Sequence, residues 1–175
     1  MSKNNLPFWK EIHTIVFDFD GIFTDNKVYL SQNGEENVSC NRSDGLAFDL
    51  LRKFIISKNW KLNYFILSTE KNPVVKARAE KLNVECFHGV DDKMQFISNY
   101  MKNKYRDPQK ERDGLIYMGN DLNDFKCMEY AGFSVAPLDS HKLILEIADY
   151  VLPVKGGEGC VRNFLEELML LHKLD

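Results

Sequence analysis

Four short runs in this sequence are apolar almost without interruption: Thr14-Ile15-Val16-Phe17, Tyr64-Phe65-Ile66-Leu67, Leu115-Ile116-Tyr117-Met118 and Phe133-Ser134-Val135-Ala136. A strand with one face in water alternates apolar and polar residues, whereas a strand covered on both faces is apolar throughout. Between the runs, apolar residues recur at helical spacing. The stripes are Leu46, Leu50, Leu51, Phe54 and Ile55; Val75, Ala79 and Leu82; Met94, Ile97 and Met101; and Phe164, Leu165, Leu168 and Leu171. Strand–helix alternation of this kind predicts an α/β fold with a doubly wound, mostly parallel, Rossmann-like sheet. The 175 residues, 44% of them hydrophobic, suit a single domain over 1–175 that buries its core without disulfides.

One stretch breaks the alternation. Lys27-Val28-Tyr29-Leu30 and Glu36-Asn37-Val38-Ser39-Cys40 flank Ser31-Gln32-Asn33-Gly34-Glu35, and Asn-Gly between β-type runs is a hairpin signal. A β-hairpin insertion over about 27–41 is expected after the first strand. The polar stretch from Asn103 to Asp113 reads as a mobile loop.

Composition removes several function classes. Lys and Arg number 23 and Asp and Glu 26, a net charge of −3 with no broad basic face, so nucleic acid is not the expected partner. Cys40, Cys86, Cys127 and Cys160 form no CxxC pair, which argues against a zinc knuckle or a thioredoxin-type motif. Scattered thiols suit a reducing compartment. No apolar run approaches the roughly 20 residues that span a bilayer, and Met1 to Lys10 does not resemble a signal peptide. The expectation is a cytoplasmic protein with no membrane partner. His13, His88, His141 and His172 fall in no catalytic spacing and read as structural or surface residues.

The chemistry is concentrated in Phe17-Asp18-Phe19-Asp20-Gly21-Ile22-Phe23-Thr24-Asp25, directly after the first apolar run. Ligands of open α/β sheets bind beyond the carboxyl ends of the strands, where Asp18 and Asp20 fall. Two carboxylates two residues apart can converge on one reaction centre. Their repulsion there calls for a cation, or for a proton kept by one of them. Gly21 lets the backbone turn close to a bound group. A bare Asp-x-Asp is mostly a pair of solvated acids; the longer pattern is far more specific.

This segment resembles the first motif of the haloacid dehalogenase superfamily of phosphotransferases. Three later segments, each following an expected strand, are similar to its remaining motifs in order. Ser68-Thr69-Glu70-Lys71 matches the motif that supplies a phosphate-binding hydroxyl, at Ser68. Val90-Asp91-Asp92-Lys93 supplies the lysine, at Lys93, and Gly119-Asn120-Asp121-Leu122-Asn123-Asp124 resembles the acidic fourth motif. Singly these are a capping serine, a helix-start lysine and a solvated turn; their order gives them weight.

The resemblance implies a Mg²⁺-dependent phosphomonoesterase. Asp18 is then the nucleophile that forms an aspartyl-phosphate, and Asp20 the group that protonates the leaving alkoxide and later takes a proton from water. Ser68 and Lys93 complete the catalytic set by holding phosphoryl oxygens. The implied metal set is Asp18, Asp20 through its carbonyl, Asn120, Asp121 and Asp124. Asn120 departs from the family, which usually has Asp after the glycine. An amide oxygen still coordinates Mg²⁺ but removes a negative charge, so weaker metal binding is expected unless Asp121 or Asp124 compensates.

Within the superfamily, the hairpin insertion and the short length resemble the capless branch typified by 3-deoxy-octulosonate 8-phosphate phosphatases, from about Ile12 to Leu171. That branch forms homotetramers in which a neighbour's hairpin covers the active site. Ser43-Asp44-Gly45-Leu46, Leu67 to Val75 and Gly119-Asn120-Asp121 look more like the phosphatase-like domain of some acylneuraminate cytidylyltransferases, and like nonulosonate 9-phosphate phosphatases. The implied substrate is a nonulosonate 9-phosphate such as N-acylneuraminate 9-phosphate, in sialic acid or lipopolysaccharide biosynthesis. The alternatives are 3-deoxy-D-manno-octulosonate 8-phosphate, or a non-catalytic oligomerisation module beside a cytidylyltransferase. Glu70 and Lys71 offer an acceptor and a cation to sugar hydroxyls and carboxylate. Thr69, Asp44 and Arg162, the last in the glycine-rich segment Lys155 to Arg162, complete the expected substrate-binding set.

Overall fold

The structure, a computed structural model, describes residues 5–170. Leu171, expected on the last helical stripe, and His172 lie outside the described residues. The chain enters through a single 3-10 turn, Trp9–Glu11, and forms β1, Thr14–Phe17. The hairpin follows as β2, Tyr29–Leu30, and β3, Glu36–Asn37, and leads into α1, Ser43–Lys58. Then come β4, Asn63–Leu67, α2, Val74–Leu82, and β5, Glu85–Phe87. The second half runs through α3, Lys93–Lys104, α4, Pro108–Asp113, β6, Leu115–Met118, α5, Phe125–Tyr130, and β7, Phe133–Ala136. It continues with α6, Lys142–Ile147, β8, Tyr150–Val151, and α7, Cys160–Leu170.

Six strands form one parallel sheet in the order β5-β4-β1-β6-β7-β8. The chain winds outward from β1 to β5, then returns past β1 to build β6, β7 and β8 on the other side. This reversal opens a crevice at the carboxyl end of β1. The four apolar runs are strands because both faces are covered. Ile15, Phe17, Ile116 and Met118 pack with Phe48, Leu51, Val75, Phe164 and Leu165 of α1, α2 and α7. Val16, Phe65, Leu115 and Tyr117 pack oppositely with Ile97, Met101, Cys127 and Ile144 of α3, α5 and α6. Each buried Phe or Leu contributes about 1.5–3 kcal/mol relative to exposure. Phe17 makes edge-to-face contacts with Phe23, Phe48 and Phe164, tying the strand that carries Asp18 to α1 and α7.

The expected doubly wound fold is present, with the hairpin insertion and no cap domain among the described residues. The hairpin ladder is shorter than the sequence suggests, with Tyr29 opposite Asn37 and Leu30 opposite Glu36, and a separate bridge between Thr24 and Cys40. Its turn closes through Gly34 N–H to the Ser31 carbonyl at 3.0 Å and Ser31 N–H to the Glu35 carbonyl at 2.9 Å. Gly34, at φ +82°, is the bulge residue of a three-residue loop.

Two expectations need correction. Residues 103–113 are not a loop: α3 extends to Lys104, and α4 follows with Pro108 in its first turn and Asp107 as its cap, accepting the Gln109 N–H at 3.1 Å. The helix is fixed by contacts distant in sequence, including Tyr130 Oη donating to Glu111 at 3.2 Å. On α1, Leu51 is buried and Leu50, Phe54 and Ile55 pack against the core as expected, but Leu46 is exposed and the first turns bury Ala47 and Phe48 instead. Strand β8 carries no strong sequence signal and was not expected.

Candidate active site

Asp18 follows β1 directly, and its N–H donates to the Met118 carbonyl at 2.9 Å, continuing the β1–β6 ladder by one residue. The chain then coils once, with Phe23 N–H to the Phe19 carbonyl at 2.9 Å, anchored by the buried Phe19, Ile22 and Phe23. Gly21 sits at φ +76°, and a side-chain carbon there would overlap the Asn120 amide, so this turn needs glycine. Thr24 Oγ1 accepts the Gly21 and Asn26 N–H groups at 3.1 and 3.3 Å and donates to Asp20 Oδ1 at 3.4 Å. The coil thereby aims Asp20 back over the strand end.

Ser68 directly follows β4; its N–H donates to the Phe87 carbonyl at 2.9 Å and its Oγ accepts the Glu70 N–H at 3.0 Å. Lys93 opens α3 and reaches Asp18 from below. Its Nζ donates to Asp18 Oδ1 at 2.6 Å and to Asp124 Oδ1 at 2.8 Å. Asp124 is fully buried: Tyr117 Oη donates to its Oδ1 at 2.7 Å, and the Asn120 and Asp121 N–H groups donate to its Oδ2 at 3.0 and 3.3 Å.

Two buried carboxylates thus share one ammonium. Burial, reinforced by the neighbouring Asp124 charge, pushes Asp18 well above the usual carboxylate range, while Lys93 opposes the shift. Burial works against the Lys93 charge as well, but Asp18 and Asp124 outweigh it and hold its pKa above the ordinary lysine value. Asp20 is raised by burial first and then by the Glu70 carboxylate, which favours the protonated acid.

These strand ends frame a cleft of about 330 Å³ lined by Asp18, Asp20, Asn26, Ser68, Thr69, Glu70 and the turn from Asn120 to Asn123. It brings together expected residues from three separated segments, with Lys93 and Asp124 beneath. Other expected residues stand elsewhere. Asp44 is corrected as a substrate contact: it is fully buried, with its Oδ1 taking the Arg162 N–H at 3.1 Å, and does not line the cleft. Arg162 turns its guanidinium to Glu166 on its own helix at 2.6 Å. Lys71 is exposed and pairs with Asp91 at 3.2 Å. As an expected metal ligand, Asp124 is also corrected, because both its oxygens are engaged in holding Lys93, Tyr117 and the 120–121 turn.

Sequence reasoning missed Tyr117, whose hydroxyl hides in an apolar strand, and a pair of cations on α2. A second cavity of about 250 Å³ adjoins the cleft, sharing Asp20, Asn26 and Glu70 with it and adding Glu36 and Asn72. A third, of about 230 Å³, shares Val38 and Val74 with the second and is lined further by Arg78 and Lys81. Arg78 Nη2 donates to the Asn41 carbonyl at 2.7 Å, while its buried Nε has no hydrogen-bond partner among the described residues.

The donor set fits a hard divalent cation. The Asn120 amide nitrogen donates to Asp18 Oδ2 at 3.3 Å and to the Asp20 carbonyl oxygen at 2.8 Å, so a carboxylate oxygen, a backbone carbonyl and a side-chain amide meet at one point, and the amide offers its own oxygen when turned over. Among the described residues no group of three or more His, Cys, Asp or Glu side chains is arranged to hold a metal. A cation at this point therefore relies on one carboxylate and two neutral oxygens. No described helix is long and apolar enough to cross a membrane.

Comparison with known proteins gives concordant matches. The model of a family described as haloacid dehalogenase-like hydrolase matches residues 62–165. The 3-deoxy-D-manno-octulosonate 8-phosphate phosphatase of Salmonella typhi is 31% identical over 168 residues, 95% of this chain and 84% of that protein. N-acylneuraminate cytidylyltransferase A of Danio rerio is 30% identical over 166 residues, 93% of this chain but only 36% of that protein, so this chain spans about a third of its length. A 3-deoxy-D-manno-octulosonate 8-phosphate phosphatase from Moraxella catarrhalis, solved with magnesium, phosphate and a KDO molecule, superposes with a TM-score of 0.79 at 26% identity, covering 93% of this chain and 87% of that one.

Proposed function

Because this chain belongs to the haloacid dehalogenase-like hydrolases, as a phosphomonoesterase of sugar-acid phosphates, we propose that it hydrolyses a nonulosonate 9-phosphate, with Mg²⁺, through an aspartyl-phosphate. The observation that carries the substrate reading is the order of groups along the three adjoining cavities. The phosphate end holds Asp18, Asp20 and Ser68; the middle holds the acceptors Glu70 and Glu36 with Asn26 and Asn72; the far end holds Arg78 and Lys81. A sugar-acid phosphate has the complementary order of phosphate, hydroxyls and carboxylate. Glu70 is held by the Asn72 N–H on Oε1 at 2.6 Å, so it meets hydroxyl groups from a fixed position.

In this reading the Asp18 carboxylate attacks phosphorus, and the ester P–O bond breaks as the new one forms. Asp20, its pKa raised by burial, gives its proton to the departing alkoxide. The Asp20 carboxylate then takes a proton from the water that attacks the acyl phosphate, which returns Asp18 and releases phosphate. Lys93 stays charged between Asp18 and Asp124 and fixes the nucleophile's orientation, with Ser68 Oγ placed for a phosphoryl oxygen. Asp18, the Asp20 carbonyl and Asn120, with Asp121 on the cleft wall, would hold Mg²⁺, which when bound supplies charge neutralisation for the phosphoryl group.

The second reading is 3-deoxy-D-manno-octulosonate 8-phosphate, favoured by the similarity to the Salmonella typhi phosphatase. We also propose that copies of this chain associate through the hairpin, which exposes Val28, Tyr29 and Leu30. The deciding experiment is turnover of both sugar-acid phosphates and an aryl phosphate with Mg²⁺, in wild type and in Arg78→Ala. The nonulosonate ester is expected to be the best substrate. Arg78→Ala is expected to raise KM for the carboxylated substrates while sparing the aryl phosphate. Equal effects on all three would refute the assignment of the far end to a carboxylate.

A further inference from the structure

The loop between β7 and α6 braces two of the turns that build the cleft. On one side the His141 N–H donates to the Asn120 carbonyl at 2.8 Å. On the other, Asp139 Oδ1 accepts the Gly156 N–H at 2.9 Å, and the Leu138 N–H donates to the Val154 carbonyl at 3.1 Å. These bonds seat the glycine-rich segment 156–160 against the turn that carries Asp20. A side-chain carbon on Gly156 would overlap the Gly21 carbonyl, and one on Gly157 would overlap the backbone of Thr24 and Asp25, so only bare backbone fits there. The Ile22 carbonyl, two residues after Asp20, takes two donors from the segment: the Gly157 N–H at 3.0 Å and the Cys160 thiol at 3.1 Å. Burial pushes that thiol up to about 12, which keeps it protonated as a donor.

We propose that Asp139 is a positioning residue that sets Asp20 for proton transfer by holding segment 156–160 against the turn from Asp20 to Asp25. Asp139 does not line the cleft and acts through the backbone of Gly156 and Gly21. The inference rests on the general-acid role proposed above for Asp20. The grip on the Asp20 carboxyl itself is weak, since Thr24 Oγ1 reaches its Oδ1 only at 3.4 Å, so its aim comes from the backbone beneath it. A general acid must lie within hydrogen-bond reach of the oxygen it protonates, and misplacing it costs most where the leaving group is most basic. A sugar alkoxide needs that proton to depart, whereas a nitrophenolate leaves without it.

The experiment compares wild type, Asp139→Ala and Asp139→Asn on a sugar-acid phosphate and on nitrophenyl phosphate, with Mg²⁺. Asp139 is exposed, so both variants are expected to fold. Asp139→Ala removes the acceptor and is expected to lose about tenfold in kcat on the sugar ester, the worth of one hydrogen bond, with KM unchanged and nitrophenyl kcat within about twofold. Asp139→Asn keeps an acceptor oxygen and is expected to match wild type. A second readout needs no substrate: the Gly21 and Phe23 amides are expected to exchange with solvent about tenfold faster in Asp139→Ala while those of β1 stay unchanged. Equal kcat losses on the two esters, a lower melting temperature with unchanged kcat, Asp139→Asn as impaired as Asp139→Ala, or unchanged exchange at Gly21 and Phe23 would overturn the proposal. A wild type that hydrolyses neither ester would sink the phosphatase reading and the proton-transfer role with it, while faster exchange in Asp139→Ala would still assign the brace to Asp139.

Discussion

Asparagine in place of Asp44 isolates one buried charge. Asp44 is the second residue of α1 and has no exposed surface. Its Oδ1 accepts the Arg162 N–H at the start of α7 at 3.1 Å, and its Oδ2 has no hydrogen-bond partner among the described residues. Burial raises its pKa from 3.8 to about 6, against the opposing pull of that N–H and of the Arg78 and Arg162 charges. A folded-state pKa above the unfolded value means that the folded protein holds the proton more tightly. The resulting stability is fully present below about pH 4 and is lost as pH rises through about 6. The difference between 3.8 and about 6 corresponds to roughly 3 kcal/mol by neutral pH. Asparagine keeps the acceptor for Arg162 and never ionises. Protonated Asp44 leaves one buried donor to be satisfied and asparagine leaves two, so near pH 4 Asp44→Asn is expected to be no more stable than wild type. Between pH 4 and 8 the difference is expected to move in favour of Asp44→Asn by about 3 kcal/mol. Urea unfolding at both pH values measures the gap. A gap that stays constant between pH 4 and 8 would refute the buried-charge argument. An unchanged KM is expected alongside, since Asp44 does not reach the cleft.

Asp18→Asn is expected to fold normally and lose at least about 10³-fold in kcat, because an amide cannot form the acyl phosphate; near-wild-type turnover would remove Asp18 as nucleophile. Tyr117→Phe removes one of the two donors to Asp124 Oδ1. It should cost about 1 kcal/mol in urea unfolding and lower kcat more than it raises KM, because Lys93 is less firmly placed. A stability loss with no change in kcat would confine Tyr117 to packing. Deleting the hairpin tip, Gln32 to Glu35, should impair sugar-acid phosphate turnover more than aryl phosphate hydrolysis, and equal losses would deny the hairpin a role in substrate binding.

What could be read from the sequence was whatever one dimension encodes. Strands β1, β6 and β7 lie where uninterrupted apolarity puts them, because burial on both faces leaves no polar positions to confuse the period. Asp18, Ser68 and Asn120 reach one cleft because each lies within two residues of the carboxyl end of a strand of one parallel sheet, so strand order alone brings them together. The misreadings share a different cause. Residues 103–113 look like solvated chain until the Asp107 cap and the contact of Glu111 with Tyr130 are seen, and that contact joins residues far apart in sequence. A buried acid such as Asp44 has the same letter as an exposed one. Arg78 and Lys81 look like an ordinary polar helix face; only the hairpin strand folded against α2 turns them into the end of a groove.

The charge balance beneath the cleft bears on the cofactor without reference to any relative. Asp18 and Asp124 together carry two negative charges when ionised, against one positive charge on Lys93, with Lys93 Nζ 2.6 and 2.8 Å from them. Asp20 and Glu70 add further acidity at the rim, and among the described residues no lysine or arginine lines the cleft itself. A phosphate monoester entering this space meets net repulsion in a low-dielectric setting, where such terms are not screened. Either a carboxylate takes a proton or a cation joins the anion. The two routes separate in one measurement. If a cation provides the balance, inorganic phosphate or vanadate should raise the melting temperature with Mg²⁺ present and leave it unchanged in chelator, at neutral and at acidic pH alike. Protection in chelator that grows as pH falls would assign the balance to a proton on Asp18 or Asp20 instead.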